Sequence, residues 1–199
     1  VREWLKALPA EARRIVGEDL KTVQYGWPLG MPLIRKLEAD LWEVRSTLPE
    51  GIARVFFTVQ GTRVILLHAF IKKSQRTPMN ELAMARKRLA ELLSEYPLSF
   101  GERKMSVNEN HIGSSLDDFL EEEGLLAEVE ATAIKRVVAF QIEQLMKEKN
   151  LSKTAMAKRM KTSRAALDRL LDPTNPSITL QTLERAAAAV GKSLQVELV

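Results

Sequence analysis

The stretch LSKTAMAKRMKTSRAALDRLLD, residues 151–172, contains two serines placed to start helices. Ser152 can accept from the free amides of a first turn, which predicts a helix running to Met160. Lys161-Thr162 makes a turn. Ser163 can cap a second short helix, Arg164 to Leu171, which ends at Asp172-Pro173 because the residue before a proline is pushed out of the helical region. Upstream, Glu130 to Lys149 reads as an amphipathic helix with Ile134, Val137, Val138, Ile142 and Leu145 facing inward, and Asn150-Leu151 turns the chain. Downstream, Thr179 caps a helix over Leu180–Val190 that stops at Gly191. Two short helices joined by a tight turn and followed by a packing helix form a helix-turn-helix, with Ala155, Met156, Leu167, Leu170 and Leu183 as its inward set. Ser193 to Val199 alternates like a short C-terminal strand.

The second short helix is the candidate reader of DNA. Arginine bonds bidentately to guanine and alanine contacts a thymine methyl, while small residues let a helix sit deep in the major groove. The candidate DNA-binding set is Lys153, Lys161, Thr162, Ser163, Arg164, Ala165 and Arg169. Ala166 lies in the same turn, and Lys158 and Arg159 are placed to meet phosphates, which makes binding salt-dependent. The bland alternative is a helical bundle with a solvated basic face.

Charge divides the chain into three blocks. Residues 1–104 carry 18 Lys and Arg against 12 Asp and Glu, residues 105–131 carry 8 acids and no Lys or Arg, and residues 132–199 carry 12 bases against 6 acids. The net +4 therefore hides two basic regions with an acidic strap between them. Basic regions suit polyanions, and the strap is expected to occupy the same surface and compete with nucleic acid through local electrostatics. The chain has no Cys and two His, His68 and His111, which argues against disulfides, thiolate chemistry and a His-based metal site. No apolar run is long enough for a bilayer and no signal peptide is visible, so a cytoplasmic protein without membrane partners is expected.

The first region reads as an α+β unit. Two helices flank Pro9, and the turn-rich loop 25–32 follows. Four strands are then expected near 33–38, 41–46, 52–60 and 62–71, with a helix over 78–96. Its candidate chemistry lies in cations on adjacent strands. Arg45 and Arg54 sit on neighbouring strands, and the apolar strand LLHAFI (66–71) empties into Lys72, Lys73 and Arg76. No Asp/His pair or metal cluster accompanies them. Cations alone can still catalyse RNA cleavage by positioning a phosphate, favouring a 2′-oxyanion and stabilising the charge that develops. A lysine with a depressed pKa can act as base. For Lys72, Lys73 and Arg76 the competing reading is a solvated charged turn. His68, on a strand face with Leu66 and Phe70, is expected to be a buried, hydrogen-bonded structural residue. Trp42, Phe56 and Phe57 are expected in the core.

Residues 130–191 resemble a Cro/repressor-type (XRE-like) helix-turn-helix. The ending TLERAAAAVGKSLQVELV, with the acidic SSLDDFLEEEG, is similar to HigA-type antitoxins over residues 105–199. KLEADLWEVR, ARVFF and LLHAFIKKSQRTP resemble the phage-related, HigB-like branch of the RelE toxins over residues 1–96. The resemblance implies a RelE-like antiparallel sheet with packed helices, followed by an all-α helix-turn-helix domain. It implies a ribosome-dependent mRNA endonuclease that uses no metal or other cofactor, with Arg45, Arg54, Lys72, Lys73 and Arg76 as the catalytic or phosphate-binding set. It also implies an antitoxin that binds operator DNA as a homodimer. The expected organisation is a toxin domain at 1–98, a linker at 99–115, an acidic strap at 116–131 and the helix-turn-helix domain at 132–199. Two departures stand out. Family members usually open with a β-strand, whereas this chain begins at the first helix. Toxin and antitoxin are normally separate chains, whereas here GERK runs into MSVNENH with Met105 where an antitoxin would start. The rival expectation is a transcriptional regulator whose toxin fold only senses or dimerises, and a strap acting between two chains is a further arrangement.

Overall fold

Three two-residue turns organise the first half of the molecule. Ala39-Asp40, Pro49-Glu50 and Gly61-Thr62 join four strands, β1 (Ile34–Glu38), β2 (Leu41–Leu48), β3 (Gly51–Gln60) and β4 (Arg63–Lys72), into one antiparallel sheet of order β1-β2-β3-β4. Tight hairpins need residues that accept positive φ, and Asp40 (φ 57°) and Gly61 (φ 61°) supply it. The computed structural model describes residues 1–28, 33–72, 79–94, 113–172, 175 and 178–195. The chain divides into two units, Val1–Val129 and Glu130–Val199.

In the first unit, α1 (Arg2–Lys6) and α2 (Ala10–Gly26) precede the sheet, and α3 (Met79–Ser94) follows it. Side chains alternate between the two faces of a strand, so the register assigns each residue. Val44 stands opposite Val55, and Trp42 opposite Phe57. This face meets α2, whose Val16, Leu20 and Val23 are buried. Trp27 packs edge-on against Trp42 at 4.8 Å and Phe57 at 5.5 Å. On the other face, Leu41, Phe56 and Phe70 join Ala85 and Leu89 of α3 in an apolar cluster. A register shift between Phe56 and Phe57 brings Leu67 into the same cluster. Phe56 and Phe57 are core residues as expected, and Trp42 is half-buried.

The acidic segment forms α4 (Leu116–Glu122), capped by Ser115, whose side chain accepts from the Asp118 amide. Gly124 (φ 67°) lets the chain turn into α5 (Leu126–Glu148), and the division between the units falls inside that helix. Leu120 and Val129 are fully buried, and they meet α2 at Gly17. A Cβ at Gly17 would lie 3.1 Å from Leu120 Cδ2, so the missing side chain is what lets the segment approach.

In the second unit, α5 is followed by α6 (Lys153–Arg159), α7 (Arg164–Leu171) and α8 (Leu180–Ala189). Ser152, Ser163 and Thr179 accept from the amides of Ala155, Ala166 and Thr182, which are the caps expected from sequence. Ile142, Met156, Leu167, Leu170 and Ala186 form the core, with Leu145 and Leu183 packed on it. Ile134 is a correction: it is 51% exposed. The inward stripe of α5 runs through Lys135, Ala139, Ile142 and Met146, and Ile134 falls one position off it. Ser193 to Gln195 take no regular structure, and residues 196–199, the rest of the expected strand, lie outside the described residues.

Candidate nucleic-acid interfaces

The register of β1 to β4 gathers a cationic cluster on the face of the sheet that packs against α3. Arg45 stands directly opposite Arg54, and Arg35 opposite Glu43. Arg54 pairs with Phe70, so Lys72, two residues on, shares that face. Like charges directly opposed across a sheet repel, and the sheet answers with Glu43. This carboxylate is fully buried, ion-paired through Oε1 with Arg54, and its Oε2 lies 3.8 Å from Arg45 Nε. The cations therefore occupy two levels. Arg54 is buried over Glu43, while Arg45 and Lys72 are half-buried and Arg35 is exposed. Desolvation, then the charge of Arg54, pushes the Lys72 ammonium below its ordinary pKa. Glu43 opposes the shift, and Arg35 and Arg45 add to it.

The structure thus brings together Arg45, Arg54 and Lys72. Lys73 and Arg76 lie outside the described residues. Sequence reading missed Glu43 and Arg35. The available signal was parity, since Glu43 alternates with Leu41 and Arg45 and so had to share their face. His68 is half-buried; its Nε2 meets Glu81, and Arg88 Nη1 lies 3.4 Å from its Nδ1. His68 is thus hydrogen-bonded as expected, but half-buried rather than buried. Among the described residues, no group of three or more His, Cys, Asp or Glu side chains could hold a metal.

The acidic segment does not lie on this cluster among the described residues. Its carboxylates pair with α1 and α2: Glu122 with Arg2, Glu123 with Arg13, Glu128 with Arg14 at 3.7 Å, and Asp117 with Lys21 at 2.9 Å. Lys21 is fully buried, with Tyr25 beneath its ammonium at 4.5 Å. The described part of the acidic segment thus pairs with cations of α1 and α2 rather than with Arg45, Arg54 and Lys72. Its apolar residues, Phe119, Leu120 and Val129, fit α2, and its charges follow them there.

In the second unit, Lys153, Lys161, Ser163, Arg164, Ala165 and Arg169 are all exposed, and Thr162 is half-buried. Lys161 takes a left-handed conformation (φ 52°), which turns α6 into α7. Asp168 on α7 bonds Lys153 of α6 at 2.7 Å and lies 3.9 Å from Arg164 Nε. The Lys153 hydrogen bond holds the Asp168 carboxyl below its ordinary pKa, although desolvation opposes the shift. One carboxylate thereby orders two of the candidate DNA-binding cations. Among the described residues, no helix is long and apolar enough to cross a membrane.

A family model described as "Phage derived protein Gp49-like (DUF891)" matches residues 3–90. A second, the "Cro/C1-type HTH DNA-binding domain", matches residues 141–194. The chain therefore joins a Gp49-like phage-derived domain to a Cro/C1-type helix-turn-helix domain, and the strap lies between the two matched segments. No curated protein and no solved structure matches it.

Proposed function

We propose that the chain is a type II toxin–antitoxin module of the HigBA kind in one polypeptide. Residues 1–98 are a metal-independent mRNA endonuclease that works on the ribosome. Residues 116–131 are the restraining strap. Residues 132–199 bind an operator as a symmetric dimer and repress their own transcription. The observation that carries this reading is that an acidic segment between the two matched domains docks on the first through apolar anchors and four ion pairs.

In the proposed reaction, Arg45 holds the non-bridging oxygens of one phosphate, and Arg54, fixed by Glu43, sets the field beneath it. Lys72, with its lowered pKa, takes the proton of the 2′-hydroxyl when it is uncharged. The 2′-oxygen attacks phosphorus, the bond to the 5′-oxygen breaks, that oxygen takes a proton from water, and Arg45, Arg54 and the now protonated Lys72 stabilise the charge gathered between. Because the strap sits on α1 and α2, its restraint acts on what the domain can dock against rather than on the phosphate site. Tethering keeps its effective concentration high. A regulator with an inactive toxin fold is the second reading. It is favoured by Glu43, which gives the arginines the internal counter-ion a purely structural network would also have.

The test is mRNA cleavage on translating ribosomes by the full chain, by Leu120→Ala, and by Leu120→Ala combined with Arg45→Ala and Lys72→Ala. Cleavage by the single variant alone supports the module. No cleavage by Leu120→Ala, with its strap shown to be released, sinks the nuclease reading and leaves the regulator.

A further inference from the structure

Lys135 is turned inward by α5 and is only 6% exposed, in line with Ala139, Ile142 and Met146. An ammonium is costly to bury unless it is hydrogen-bonded. Desolvation pushes its pKa down, partly offset by the charge of Asp172, while Arg136 adds to the fall. A backbone carbonyl satisfies it: Nζ donates to Asp172 O at 2.7 Å. Asp172 is the residue that closes α7. The same carbonyl accepts from the Asn175 amide at 3.3 Å, and Asn175 Nδ2 donates to the carbonyl of Arg169 at 3.2 Å. A cation and two amide donors thus converge on the exit of α7, at the end of the helix where the backbone dipole favours positive charge. α7 has 8 residues. A helix that short has little stability of its own, so its orientation is set by packing and by what grips its ends. Ser163 grips the start, and Lys135, six residues before the matched segment 141–194, grips the finish.

We infer that Lys135 is a positioning residue for DNA reading: by holding the Asp172 carbonyl it fixes the angle at which Arg164, Ala165 and Arg169 enter the major groove. The inference rests on α7 being the reading helix. Lys135 itself touches no DNA, so it should govern discrimination between sequences rather than attraction to phosphates.

The experiment uses the full chain and two duplexes of about 20 base pairs, two helical turns. One is enriched by the parent chain from a random pool, and the other is its scrambled counterpart. Lys135→Met keeps the stem without the charge, and Lys135→Arg restores a donor. With folding verified by circular dichroism, Lys135→Met should bind the enriched duplex about tenfold more weakly or worse. It should keep the parent's affinity for the scrambled duplex and the parent's salt slope. Lys135→Arg should recover most of the loss. The inference is overturned if Lys135→Met binds the enriched duplex as the parent does, or loses both duplexes equally. It is also overturned if Lys135→Arg is as weak as Lys135→Met, which would make packing of the stem the cause. A parent chain that enriches no duplex would overturn the assignment of α7 as the reader, and this inference with it.

Discussion

Leu120→Ala tests what holds the strap on the first domain. Leu120 is fully buried, with Phe119 and Val129 beside it in the same condition, and its Cδ2 faces Gly17. Cutting a buried leucine to alanine costs about 2–5 kcal/mol. The Arg2–Glu122 and Arg14–Glu128 pairs are partly exposed on the arginine side and well exposed on the carboxylate side, and such pairs contribute roughly 0–1 kcal/mol each. Arg13–Glu123 and Lys21–Asp117 are more buried on the basic side, where added salt screens a pair little, so burial should outweigh the part of the charge that salt can remove. The open-to-docked ratio of the strap should rise about 30-fold at the low end of that range and several thousandfold at the high end. Hydrogen exchange reads this directly: amides of 116–129 should exchange faster by that factor, while those of β3 keep their protection. Raising NaCl on the parent chain should accelerate the strap far less. If high salt alone frees the strap and Leu120→Ala changes its exchange by less than about threefold, charge rather than burial holds it and the reasoning fails.

Three further outcomes are expected. Glu43→Gln leaves Arg54 buried without its carboxylate; a urea titration should show a loss of about 3 kcal/mol, and an unchanged midpoint would mean the pair contributes nothing. Lys161→Gly relieves a left-handed lysine (φ 52°), so thermal melting should show a gain of about 1 kcal/mol. The salt slope of DNA binding should fall by about 0.9, and an unchanged slope would remove Lys161 from the phosphate contacts. Asp168 has a folded-state pKa below its ordinary 3.8, so the stability it contributes is present above that value and is lost as pH falls through it toward the folded-state pKa. Asp168→Asn should flatten the acid limb of a pH–stability profile, and an identical limb would show that the contact with Lys153 has no thermodynamic weight.

The helix-turn-helix was legible because every start signal was local. Ser152, Ser163 and Thr179 each cap the helix they open, and nothing distant competes with them. The hairpins were legible for the same reason. The cationic cluster was legible only in part, because Arg45 and Arg54 announce themselves as cations while Glu43 matters through a cross-strand register that composition does not encode. The strap's acids announced that it would seek cations, but not which ones. Phe119, Leu120 and Val129 choose the docking site, and their partner is a glycine, a residue with no side chain to announce the contact. Lys135 was passed over because a charged residue on a helix is ordinarily solvated, and its carbonyl partner lies 37 residues away in sequence.

The opposition of Arg45 and Arg54 across β2 and β3 has a consequence for how occupancy can be seen. One buried carboxylate stands between two guanidiniums, with Lys72 and Arg35 on the same face, so cations outnumber the acid of this cluster and the proposed phosphate site draws negative charge. An oligonucleotide or polyphosphate that settles there would be felt by the whole sheet as cohesion, raising the melting temperature by mass action whether or not any bond is cut. The first domain would then report its ligand as heat resistance, and anions could be ranked by melting alone before a substrate is known.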